Sequence, residues 1–140
     1  MANTTAISGA MKQAALSAVV DSKSMKAALY LVSATTNGTN SAYTATGEVS
    51  GTGYSAGGVA VTNANTAGLT STTAYWTPSA SIVFPTVTLA TAFDALMIYS
   101  TTDANRNILV YNFGSQTVTA GTITLTMPVN DSSTGLIRFA

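Results

Sequence analysis

The sequence predicts an all-β fold: a β-sandwich or jelly-roll-like barrel of about eight strands, with one short N-terminal helix. Three observations carry this expectation. From about Ala27 onward, apolar residues come in short runs rich in Val, Ile, Thr, Tyr and Phe, separated by clusters of Gly, Asn, Ser and Asp. The run Thr122-Ile123-Thr124-Leu125-Thr126-Met127 alternates with a period of two, which sets Ile123, Leu125 and Met127 on a buried face and the threonines toward solvent. A chain of 140 residues is also long enough to bury, as one domain, roughly two-thirds of the surface its unfolded form exposes. A core of that size holds together without disulfides, and the chain has no cysteine to form them.

Before the strands, Ile7, Met11, Ala14/Ala15 and Ala18/Val19 fall at helical spacing, and Thr4 or Thr5 is available as N-cap. Residues 1–22 therefore form a helix or arm. Residues 26–140 form the β-sandwich, with candidate strands at 27–33, 43–49, 58–63, 73–77, 81–89, 96–100, 107–113, 122–127 and 136–139. Asn37-Gly38 signals a tight turn. Pro85 interrupts a strand whose apolar parity flips across it, so this strand is an edge, bulged, or two strands. The runs 96–99 and 108–111 form a long-looped hairpin, and their near-continuous apolar character suggests a central position. No repeat, charge block or linker divides the chain, so 1–140 is expected to be a single domain.

Charge narrows the function classes. Only 7% of residues are Asp, Glu, Lys or Arg, against about 25% in an average soluble domain. Five basic and five acidic residues cancel, leaving no electrostatic footprint for nucleic acid or an anionic membrane. Mean hydropathy is +0.32, but no apolar run approaches the roughly 18 residues of a spanning helix. Lys12 inside the Ala-rich N-terminal stretch does not fit a secretory signal. The expected protein is soluble and unprocessed, and its near-neutral surface favours association.

Chemistry is narrowed further by the absence of histidine and cysteine, which removes the usual triads, imidazole ligands and thiol nucleophiles. Gly51-Thr52-Gly53-Tyr54-Ser55-Ala56 satisfies the letter of a dinucleotide fingerprint. However, a β-type segment, Val59-Ala60-Val61-Thr62, follows it where a helix is needed, and after it no acidic residue occurs until Asp94 to hold a ribose. The glycines are better explained as a bent connection between strands. Glu48, Asp94, Asp103 and Asp131 have the residue type of a glycosidase pair but no spacing that brings two together, and Asp103-Ala104-Asn105 fits an Asx-type turn. No catalytic, cofactor or metal residue is assigned. Among the aromatics Tyr75, Trp76, Phe84, Tyr99, Tyr111 and Phe113, the strand-end Trp76 is the candidate interface anchor, with a core position as the equal alternative. Asn3, Asn37 and Asn130 begin Asn-x-Ser/Thr triplets that carry no weight without a signal.

The segment from Tyr43 through Gly58 resembles a motif in a family of small tailed-bacteriophage virion proteins. Its pattern Tyr-x-x-x-x-Glu-Val-x-Gly-x-Gly-Tyr-x-x-Gly-Gly is matched by Tyr43, Glu48, Val49, Gly51, Gly53, Tyr54, Gly57 and Gly58. A preceding Lys-apolar strand is matched by Lys26-Ala27-Ala28-Leu29-Tyr30-Leu31, and a Trp region by Trp76. Farther on, Ala95, Ile98, Tyr99, Asn105, Arg106, Phe113, Gly114 and Ser115 match a strand, an Asn-Arg turn and a Phe-Gly-Ser stretch. The low charge and residues 79–91 depart from the pattern. The resemblance implies a non-enzymatic virion part made in the host cytoplasm. It points first to a capsid decoration or cement protein at the capsid surface, binding the major capsid protein as a homo-oligomer, dimer or trimer. The alternative it implies is a tail-fibre or tail-associated module engaging a host glycan or fibre subunit. Glu48 is expected to pair with Lys26, Arg106 or backbone amides.

Overall fold

A computed structural model describes residues 3–140. Among these residues one helix, α1 (Gly9–Val20), precedes seven strands. These are β1 (Met25–Leu31), β2 (Val59–Val61), β3 (Gly68–Thr70), β4 (Thr73–Trp76), β5 (Ile82–Ser100), β6 (Arg106–Leu125) and β7 (Ile137–Phe139). They form two antiparallel sheets, a four-stranded one in the order β2-β1-β5-β6 and a three-stranded one in the order β3-β4-β7. The fold is all-β with one short N-terminal helix.

The helix starts later than Thr5. Ser8 is the N-cap, its Oγ accepting the N–H of Met11 at 3.2 Å. Gly9, Leu16 and Val20 face the core, whereas Ile7 and Met11 are exposed. At the other end, Asn63 Nδ2 donates to the Val20 carbonyl at 2.7 Å, satisfying one of the acceptors a helix terminus leaves free. The Asn63 Oδ1 accepts from Trp76 Nε1 at 3.2 Å. One side chain thus ties the helix end to the largest core residue.

The principal core lies on one face of the four-stranded sheet and joins Leu16, Val20, Ala27, Leu29, Trp76, Phe84, Val87, Leu89, Phe93, Leu96 and Ile98. The opposite face holds a second cluster of Ala28, Tyr30, Ala95, Met97 and Tyr99, with Ala34, Tyr43 and Val110 packed against it. Strand β1 and the later half of β5 are therefore buried on both faces. This is why their sequences are continuously apolar rather than alternating.

Pro85 sits in a bulge. Phe84 faces Ile123 and Val87 faces Gly121, so β5 carries one extra residue there, and Thr86 takes a φ of 49°. The extra residue returns Val87 and Leu89 to the face of Ile82 and Phe84, which explains the parity flip. Compensating shifts on β6 keep the two long strands paired. Segments 81–89 and 96–100 are therefore one strand, as are 107–113 and the start of 122–127.

Other elements differ from expectation. Residues 43–49 form no strand: Glu48 N–H donates to Ala45 C=O and Thr46 N–H to Thr44 Oγ1, turns that curl the segment. Only isolated bridges, Tyr30 to Glu48 and Ala42 to Arg106, touch the sheet. Strand β3, too short to stand out in the sequence, pairs with β4 in a tight hairpin. Of the two runs expected at the centre, 96–99 lies in central β5, but 108–111 lies in β6 at the sheet edge. The alternation at 122–127 holds, with exposed threonines, but Ile123, Leu125 and Met127 are half-buried because they line an open groove beside the edge strand β6. The expected Asn37-Gly38 turn is present, with Asn40 N–H donating to Asn37 C=O at 3.1 Å.

Candidate functional site

The motif residues converge on Glu48. Its backbone meets Tyr30 at the outer side of β1, and its half-buried carboxylate accepts three hydrogen bonds. Tyr43 Oη donates to Oε2 at 2.6 Å, Tyr54 Oη to Oε1 at 2.7 Å and Gly57 N–H to Oε1 at 2.7 Å. The expected backbone amide is therefore Gly57. Lys26 and Arg106 are not partners, and Arg106 pairs with Asp103 at 3.1 Å instead.

A second layer locks these partners to the sheet. Tyr54 Oη accepts the N–H of Leu29 at 3.0 Å, and its ring stacks on Phe84 with centroids 5.8 Å apart. The Tyr43 ring stacks on Tyr99 at 4.7 Å, and Tyr99 Oη donates to Gly57 C=O at 2.7 Å. Tyr30 Oη donates to Thr44 C=O at 2.7 Å. The sequence singled out Tyr43, Glu48 and Tyr54. It missed the roles of Tyr30 and Tyr99, which alternation along β1 and β5 would have placed on the same face as Ala28 and Met97.

The electrostatics match this closure. Burial, with the charge of Glu48 adding to it, pushes Tyr30 from 10.0 up to about 12. Burial and the hydrogen bond to Glu48 raise Tyr43 and Tyr54, and burial raises Tyr99. All four phenols are held in the neutral form, as donors.

Two glycines let the loop lie against the strands. A Cβ on Gly58, which has a φ of 74°, would stand 1.8 Å from the Ala27 carbonyl oxygen. One on Gly53, with a φ of 80°, would stand 2.3 Å from that of Thr86 at the bulge. Just before Gly53, Thr52 bridges Thr88, whose N–H donates to Thr52 C=O at 2.9 Å. Gly51 closes the turn by accepting from Tyr54 N–H at 3.2 Å. The run then leads into β2 rather than a helix, so no row of helix N-terminal amides faces outward from it. Chemically the constellation is a clasp whose polar atoms are consumed by one another.

Trp76, the candidate interface anchor, is 0% exposed and belongs to the core, because β4 turns it inward beneath the helix end. The carboxylates that make hydrogen bonds here hold backbone rather than a ligand. Asp131 Oδ1 accepts from Ser133 N–H, Thr134 N–H and Thr134 Oγ1, and these bonds hold its carboxyl below the usual range. Asp21 accepts from Ala67 N–H at 2.7 Å. Among the described residues no group of three His, Cys, Asp or Glu side chains could hold a metal, and no helix is long and apolar enough to cross a membrane.

The other distinct surface lies across the sheet from the clasp. An open groove of about 870 Å³ runs along β6, floored by Phe93, Leu96 and Ile98 and walled by Leu109, Tyr111, Phe113, Val118 and the segment 122–128. Thr134, Gly135 and Leu136 close its far side. No protein-family model, curated protein or solved structure matches the chain.

Proposed function

We propose that this chain is a non-enzymatic structural part of a phage particle, a capsid decoration or cement protein that binds the major capsid protein as a homo-oligomer at the capsid surface. The observation that carries the reading is the clasp. The motif that resembles the virion family holds a loop to a sheet and presents no nucleophile, paired acid and base, or anion cradle. The weakly charged, Thr-rich exterior suits a protein whose surface is covered by neighbours. In such a role the mechanism is passive: many copies bury apolar and hydroxyl-bearing surface, and symmetric repetition sums contacts that are individually modest.

The groove supports a second reading. Tyr111 and Phe113 beside the hydroxyls of Thr117, Thr122 and Thr124 have the composition of a sugar-binding platform, which suits a tail-associated module engaging a host glycan. Counting copies in purified particles separates the two. Hundreds of copies on the head support decoration, a handful at the tail supports the fibre reading, and absence from the particle overturns both.

A further inference from the structure

We propose that the open edge of β6, over residues 109–113 and centred on Tyr111, pairs antiparallel with the same stretch of a second copy of this chain, about a two-fold axis, so that each copy covers the other's groove. This deepens the homo-oligomer part of the reading above and rests on that part alone.

The unpaired backbone groups can be assigned from β1. Leu29 turns its N–H to Tyr54 Oη and its C=O to Val49 N–H, both away from β5. It stands opposite Leu96, so Leu96 turns its own groups toward β6, where it stands opposite Tyr111. The antiparallel alternation then points the N–H and C=O of Val110 and Asn112 out of the sheet. The edge is closed just before this stretch, where Asn107 donates its N–H to Ser41 C=O at 3.0 Å and its Nδ2 to Asn40 C=O at 2.8 Å. It bends just after it, at Gly114, with a φ of 84°. What remains open is a short segment whose ladder is regular from Leu109 to Asn112, between an unpaired Ile108 and the irregularity that follows Asn112.

Edge strands are ordinarily blunted by lysine, proline, an inward charge or a bulge. From Asn107 through Leu125 there is no lysine, proline or charge, and the ladder irregularities of β6 leave Leu109 to Asn112 unbroken. On the groove side, Leu109, Tyr111 and Phe113 lie in a row, and Tyr111 is 48% exposed. A docking strand therefore satisfies two independent needs, the backbone groups and the apolar row.

The occupant is a second copy for reasons of charge and symmetry. Between Arg106 and Arg138 the only Asp, Glu, Lys or Arg is Asp131, so the edge offers little to select a charged peptide and nothing to repel itself. Residues directly opposite in an antiparallel pair share a face. Two copies of 109–113 in that arrangement, centred on Tyr111, set Leu109 against Phe113 and Tyr111 against Tyr111 of the other copy, with Val110 and Asn112 as the hydrogen-bonded pair. Such a contact is self-complementary and closes as a dimer.

The test uses the full chain. Light scattering at high micromolar concentration is expected to give about twice the 14.2 kDa chain mass. Asn112→Pro removes an outward N–H that the β5 ladder does not use, and is expected to give a monomer with unchanged circular dichroism. Should that variant fail to fold, Tyr111→Lys places like charges across the contact and is expected to give a monomer that re-associates partly in high salt. A monomeric parent chain, a trimer, or a dimer that both folded variants leave intact would overturn the pairing. Any of these leaves the virion reading standing, just as absence of the chain from particles leaves the pairing standing.

Discussion

The two margins of the four-stranded sheet are finished in opposite ways. On the β1 side the chain closes its own edge: β2 pairs with Met25–Ala27, Glu48 and Val49 meet Tyr30 and Leu29, and the clasp fixes the loop over the second cluster. On the β6 side nothing of this kind follows Asn107 among the described residues, and a half-buried apolar row stands beside outward-facing backbone groups. One margin spends its polar groups internally, and the other turns them outward. The closed margin is expected to govern stability, and the open margin to govern association.

Substitutions on the closed side break the comparison most severely. Gly58→Ala forces a Cβ against the Ala27 carbonyl at a positive φ and is expected to cost about 4 kcal/mol or more, read by urea denaturation. Glu48→Ala leaves Tyr43, Tyr54 and the Gly57 N–H without their acceptor and is expected to cost about 3 kcal/mol. Glu48→Gln keeps the shape but replaces one acceptor with a donor, for about 1–2 kcal/mol. If Glu48→Gln leaves both stability and assembly unchanged, the clasp does not organise this side.

The phenols give the closed side a pH signature. A group whose folded pKa lies above its unfolded value favours the protonated native state. The stability from Tyr30 is thus fully present below 10.0 and is lost as pH rises toward about 12. Tyr43, Tyr54 and Tyr99 shift in the same direction. The denaturation midpoint is expected to fall steadily above pH 10, with tyrosinate absorbance at 295 nm, read in a Tyr75→Phe, Tyr111→Phe background that leaves only the four clasp phenols, appearing together with unfolding. Absorbance that rises well before the fold is lost would show that the phenols are not enclosed.

On the open side the smallest effect on stability is expected. Tyr111→Ser removes an exposed ring from the groove wall and is expected to change monomer stability by about 0.5 kcal/mol or less, while weakening self-association. A large loss of stability would mean that the groove belongs to the core of the single chain.

The sequence revealed some of this contrast and hid the rest for physical reasons. Local chemistry was legible: the strand-rich pattern, the β5–β6 hairpin, the Pro85 irregularity and the Asn37 turn follow from periodicity and turn residues. Position within the sheet was not. The runs 96–99 and 108–111 look alike as sequence, yet one is central and the other forms an edge, because strand order depends on long-range pairing. The motif residues were identified, and Tyr30 and Tyr99 were named, but not as partners of the motif, since that role depends on a loop folding back over a face that only the three-dimensional arrangement defines. Trp76 at a strand end was ambiguous until Asn63, distant in sequence, was seen to accept its N–H. Residues 43–49 have strand composition and form turns instead, because Glu48 must aim its carboxylate at partners on both sides of it in the chain.

The proposed virion role is tested most directly by reconstructing the particle in which it places this chain, at a resolution that traces the chain. The account predicts many copies on the outer surface of the head, with the β6 margin inside a contact and the 43–58 loop packed only on its own sheet. Copies confined to the tail, or a 43–58 loop opened and engaged with a neighbour while β6 stands free in solvent, would contradict it.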